Sequence, residues 1–134
     1  MTPKEKIDLM IKYIESFLGT PYKFGGNVTQ DGGLDCSALV LEGLRSIGEW
    51  DKKDATAQMI YNNLTSRIKR QSVYMPSKGD VIFFGKSTND ITHVAIAYNS
   101  HFMIEAGGNN TDGMVRIRPI EWRKDKVAIV RTIL

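Results

Sequence analysis

The chain has 134 residues, 42% of them hydrophobic and 25% charged, the size and balance of one globular domain that can build a core without staples. A single cysteine excludes an internal disulfide, and two histidines without clustered carboxylates give no zinc set. The net charge of +3 admits anionic partners, but with no Lys/Arg block it makes no case for nucleic acid.

The opening stretch "MTPKEKIDLM" is polar and amphipathic, without the apolar centre of a secretory signal. No run reaches the roughly 18 apolar residues of a membrane span. The protein is therefore expected to be made in the cytoplasm, without a membrane span, and to reach any other site of action by means other than a standard signal. Thr2-Pro3 opens a predicted helix whose apolar face is Ile7, Met10, Ile11, Ile14, Phe17 and Leu18, closed by Gly19 and Pro21. Tyr22 to Gly33 is a glycine-rich loop. Cys36 to Ile47 is a second helix, capped by Asp35 and stopped by Gly48. Asp54 to Ile68 is a third, with Met59, Ile60 and Leu64 inward. Then the pattern changes. "DVIFFG", "HVAIAY", "HFMIEA", "MVRIRP" and "KVAIVRTIL" are short β-branched and aromatic runs divided by turn residues. Helices first and strands afterwards predict an α+β domain, with N-terminal helices packed on a central antiparallel sheet of about five strands. The central strands are apolar on both faces, so cover is expected on both.

The one cysteine stands where a glycine-rich loop meets a helix. A thiol in the first helical turn meets the positive end of the helix dipole, which favours thiolate. The free N–H groups there can also hold an oxyanion. The plainer alternative is a small buried hydrophobe. A thiol nucleophile needs a base and an orienter. His93, sharing a strand face with Ala95 and Ala97, has room for an approaching helix end; the alternative is a polar cap at a strand edge. His101, beside the Asn99-Ser100 turn, reads as a solvated hairpin residue. Glu105 follows His93 by twelve residues, and an odd hairpin loop would set the two directly opposite on one face. Its carboxylate would then fix the imidazole tautomer. Asn109 and Asn110 are the alternative orienters, and Glu105 can also be read as a solvated strand-end residue.

The ordered set "PYKFGG … LDCSALV … GDVIFF … ITHVAIAY … HFMIEA" resembles the NlpC family of cell-wall cysteine peptidases across nearly the whole chain, so that 1–134 is expected to be a single catalytic domain. The resemblance implies a papain-like fold and hydrolysis of amide bonds in peptidoglycan stem peptides, often between D-γ-glutamyl and diaminopimelate or lysine, with no cofactor. By position it makes Cys36 the nucleophile and His93 the base. Glu105 stands where the family more often has His, or else Asn or Gln. Tyr22 matches a tyrosine near the oxyanion hole, and Asp35 and Ser37 match positions that face substrate. Tyr22 also reads as a core aromatic, and Asp35 as a helix cap. The expected partner is a stem peptide or muropeptide, met in the wall through phage lysis or tail delivery, or in the cytoplasm during recycling. Two other functions fit the same residues: a non-catalytic binding module such as a phage tail component, and an acyltransferase or deamidase. The pocket loops are expected near Thr29 to Gly33, Asn89-Asp90 and Asn109 to Gly113.

Overall fold

The computed structural model describes residues 1–23, 34–67, 75–108 and 112–133. Three helices come first: α1 (Pro3–Glu15), α2 (Cys36–Ser46) and α3 (Ala57–Arg67). Five strands follow: β1 (Val81–Ser87), β2 (Asp90–Ala97), β3 (Phe102–Gly107), β4 (Met114–Pro119) and β5 (Lys126–Val130), with a 3₁₀ turn at Ile120–Trp122 before the last. The sheet runs β4-β3-β2-β1-β5, and every pairing is antiparallel. This is the expected α+β architecture.

Each helix start has a local cause. Thr2 and Glu5 form a reciprocal capping box at α1, with Pro3 in the first turn. The α1 helix ends at Glu15, before Gly19, so Leu18 lies beyond it and is exposed. Asp35 caps α2 by accepting from the Ala38 N–H at 2.9 Å. At α3 the Thr56 hydroxyl accepts from Met59 N–H at 3.2 Å, so the helix starts at Ala57 rather than Asp54, which instead pairs with Arg45. Met59 is 52% exposed, against expectation. Ile60 and Leu64, one turn apart, set the buried face, and Met59 is rotated about 100° from Ile60. Ile68 lies outside the described residues.

The main core lies between the helices and one sheet face. Met10, Ile14, Leu39, Leu44 and Leu64 meet Phe83, Val94, Ile96 and Ile104 there. Gly43 brings α2 close, since a Cβ at that position would sit 3.1 Å from both Ile14 and Ile96. The opposite face carries a smaller cluster of Ile82, Phe84, Ala95, Ala97, Met103 and Ile129, capped by Ile120 of the 3₁₀ turn. Burial on both faces explains why the strands read as continuous apolar runs.

Candidate active site

The Cβ alternation of β2 puts His93 on the sheet face of Ala95 and Ala97, opposite the helix-side core. A bulge shapes this end of the strand. Phe84 pairs with His93 but Gly85 pairs with Ile91, so Thr92 is the extra residue. Ile91 thereby returns to the helix-side core, while His93 and Thr92 both reach the same cleft. Gly85 permits the bulge: a Cβ there would lie 2.1 Å from the Asp90 carbonyl oxygen.

The β2–β3 hairpin closes through Asn99, Ser100 and His101, with Tyr98 N–H donating to Phe102 O at 2.8 Å. Its odd loop keeps His93 and Glu105 on one face, as expected. The register differs from the expectation. Ile96 pairs with Ile104 and Ala97 with Met103. Continued along the strands, this sets Glu105 against Ala95 and Gly107 against His93, so the two site residues are diagonal rather than directly opposite. A diagonal gap of about 7–8 Å suits two long side chains. Nε2 of His93 and Oε1 of Glu105 are 2.8 Å apart, and both residues are buried. His101 is exposed in the hairpin, as expected.

Cys36 opens α2 as a free, half-buried thiol that lines the same cavity as the His93 ring and acts on its protonation. Since Glu105 holds Nε2, Nδ1 is the ring nitrogen left for the thiol. Burial alone would push the imidazole down. The hydrogen bonds and negative charges of Cys36 and Glu105 overturn that and raise His93 to about 9. For Glu105, burial pushes the carboxyl up. The His93 hydrogen bond and charge, joined by Arg118 and Arg116, leave it below its ordinary value. The array can therefore hold an imidazolium between two acidic partners.

A cavity of about 410 Å³ opens over these groups. Tyr22, Cys36, Thr92, His93 and Glu105 line it together with Gly107, Gly108, Arg118, Trp122 and Arg123. Burial first, then the charges of Cys36 and Asp35, raise the Tyr22 hydroxyl, which keeps it a proton donor. Asp35 and Ser37 do not line the cavity: the Ser37 hydroxyl donates to Asp35 Oδ1 at 2.9 Å, the atom that also caps α2. Their direct contact is with the helix end that carries Cys36. The Asn89-Asp90 turn is likewise absent from the lining. Thr29 to Gly33, Asn109 and Asn110 lie outside the described residues.

The wall formed by Arg118, Trp122 and Arg123 was not among the expected site residues. One signal was present: "VRIR" in β4 alternates, so Arg116 and Arg118 share a face, and the β3–β4 register sets Arg116 opposite Glu105. Among the described residues no group of three metal-ligating side chains occurs, and no helix is long and apolar enough to cross a membrane.

The NlpC/P60 family profile matches residues 19–131. The chain belongs to the NlpC/P60 family. It is 27% identical over 106 residues to the probable peptidoglycan endopeptidase LytE of Bacillus subtilis (strain 168), a match covering 77% of this chain and 28% of LytE. The P60 domain of an antigen from M. avium subspecies paratuberculosis superposes with a TM-score of 0.77 at 24% identity, covering 98% of this chain and 97% of that one. The peptidoglycan hydrolase RipB from Mycobacterium tuberculosis superposes equally well at 24% identity, covering 98% of this chain and 66% of RipB. The papain-like fold of these NlpC/P60 structures is thus the fold of this chain.

Proposed function

We propose that this NlpC/P60 chain is a cysteine peptidase that hydrolyses an amide bond in peptidoglycan stem peptides, between D-γ-glutamyl and a diamino acid. The observation that carries the reading is the Cys36–His93–Glu105 array at the floor of an open cavity. Membership of the family and the likeness to LytE, a probable peptidoglycan endopeptidase, supply the substrate class.

The chemistry follows from the positions. The Cys36 thiolate attacks the scissile carbonyl. Backbone N–H groups at the start of α2, with the Tyr22 hydroxyl, stabilise the oxyanion. The His93 imidazolium gives its Nδ1 proton to the leaving amine as the C–N bond breaks, leaving a thioester on Cys36. Neutral His93 then takes a proton from water, which attacks the thioester and releases the acid. Glu105 holds the ring by Nε2 throughout and balances its charge. No step calls for a cofactor.

The test is cleavage of defined muropeptides with diaminopimelate or lysine stems, read by mass spectrometry, for the protein and its Cys36→Ala variant. Cysteine-dependent products one water heavier in sum than the substrate are expected, and their masses name the bond. A folded protein that cleaves no stem peptide would overturn the peptidase reading.

A further inference from the structure

Three arginines surround Glu105, and they are not equivalent. Arg123 is held bidentately by Asp125, at 3.0 and 2.8 Å. Arg116 donates to the Gly107 carbonyl at 3.3 Å, and its Nε is buried without a partner. Arg118 differs. Its Nε stops 3.7 Å from Glu105 Oε2, beyond hydrogen-bond length, so the ion pair uses no N–H of the guanidinium. Among the described residues it donates no hydrogen bond. Its guanidinium carbon lies over the Trp122 ring, 4.5 Å from the ring centre, a cation–π contact. Trp122 is 64% exposed, an unusual state for a large aromatic. Both residues line the cavity.

The position of Arg118 says which part of a substrate it meets. Pro21, next to Tyr22, bridges to Met114 at one end of β4, and Arg118 stands four residues further along, about 13 Å at strand rise. Tyr22, Cys36, His93 and Arg118 all line the one cavity, and Arg118 stands further along β4 than the end beside Tyr22. The departing nitrogen must lie against His93, and Arg118 is a basic group of the same cavity within which the fragment beyond that nitrogen is held. A planar fork of free N–H donors backed by an aromatic face recognises a carboxylate bidentately.

Resting on the peptidase reading above, we propose that Arg118, backed by Trp122, binds a carboxylate of the leaving fragment and so selects stem peptides whose diamino acid has a free side-chain carboxylate. Diaminopimelate has this group; lysine and side-chain-amidated diaminopimelate do not.

The experiment uses two stem peptides that differ only in whether the diaminopimelate side-chain carboxyl is free or amidated. The protein should cleave the free acid with kcat/KM higher by about 10-fold to 10²-fold, the range of a charge-assisted hydrogen-bond pair. Arg118→Gln should bring that ratio near one by raising KM on the free acid, on top of a smaller loss shared by both peptides through the ion pair with Glu105. Arg118→Lys keeps a charge near Glu105 but loses the fork, and should lose several-fold on the free acid alone. Equal losses on both peptides would mean that Arg118 acts only through Glu105, and would overturn the proposal, as would a protein that never discriminates. Calorimetric binding of both peptides to the Cys36→Ala protein separates this proposal from the peptidase reading. An Arg118-dependent preference without turnover in the intact protein would keep the subsite and remove the peptidase; binding without preference, or no binding, would remove the subsite.

Discussion

Glu105 decides the electrostatics of the site at the scale of single residues. It is 2% exposed, yet its carboxyl sits below its ordinary value because His93 bonds it and two arginines lie beside it. In turn it helps raise His93 to about 9. On the proposed mechanism the proton that His93 gives to the amine is therefore present through neutral pH and lost near 9, so kcat/KM should fall with an alkaline limb near that value. Glu105→Gln removes one of the groups that raise His93, and the limb should move to lower pH; a limb that stays in place would show that Glu105 does not tune the ring. Gly107 protects the same contact. A Cβ there would lie 2.8 Å from Glu105 Oε2 and 3.3 Å from its Cδ. The carboxylate would have to move, and it is already fixed on His93. Gly107→Ala should lower kcat by up to about 10²-fold, the scale of a displaced catalytic contact, and shift the alkaline limb in the same direction as Glu105→Gln. An unchanged profile would refute the steric account. That Cys36, His93 and Glu105 come together was legible in the sequence, from residue type, spacing and family resemblance. Gly107 was not legible, because its closeness to Glu105 is set by the strand register, and Arg118 was signalled only by the alternation of β4.

At the scale of elements, the end of α2 does two jobs that separate substitutions can divide. Asp35 caps the helix that carries Cys36, and Thr2 caps α1, which carries no site residue. Loss of either cap costs about 1 kcal/mol. Asp35→Ala and Thr2→Ala should thus lower urea midpoints comparably. Only Asp35→Ala should also lower activity, since in the proposed mechanism the first turn of α2 presents both the thiol and the N–H groups that hold the oxyanion. Equal activity in the two variants would show that the cap does not position the nucleophile. The helices were readable from their periodicity and capping residues, but α3 starts at Ala57, after its Thr56 cap, rather than at Asp54, and Met59 turns outward. The bulge at Thr92 had only a weak sign, a glycine within an apolar strand at Gly85.

For the whole molecule, the site spans parts of the chain that only the sheet order brings together. β5 returns to pair with β1, and Arg131 just beyond it bonds Asp80 at 2.7 Å just before β1. No local pattern announces that closure, so the strands were legible but their order was not. Folding and protonation are linked through this assembly, because His93 has its raised value only when Cys36 and Glu105 are in place. The ring titrates near 6.5 when unfolded and near 9 when folded. Its stabilisation is complete below the unfolded value and is lost as pH rises through the folded one. Between the two the native state holds the extra proton, so stability should fall with pH at up to about 1.4 kcal/mol per unit. Glu105 runs the other way: its carboxyl is lowered on folding, so its contribution is present above the ordinary carboxylate range and lost as pH falls through the lowered value. Urea unfolding followed by circular dichroism from pH 6 to 10 should show the decline in the intact protein. In His93→Gln the same window should be flatter, since the group that carries the proton is gone. A decline of equal slope in the two proteins would place the linkage in other residues and remove the buried imidazolium from the account of the site.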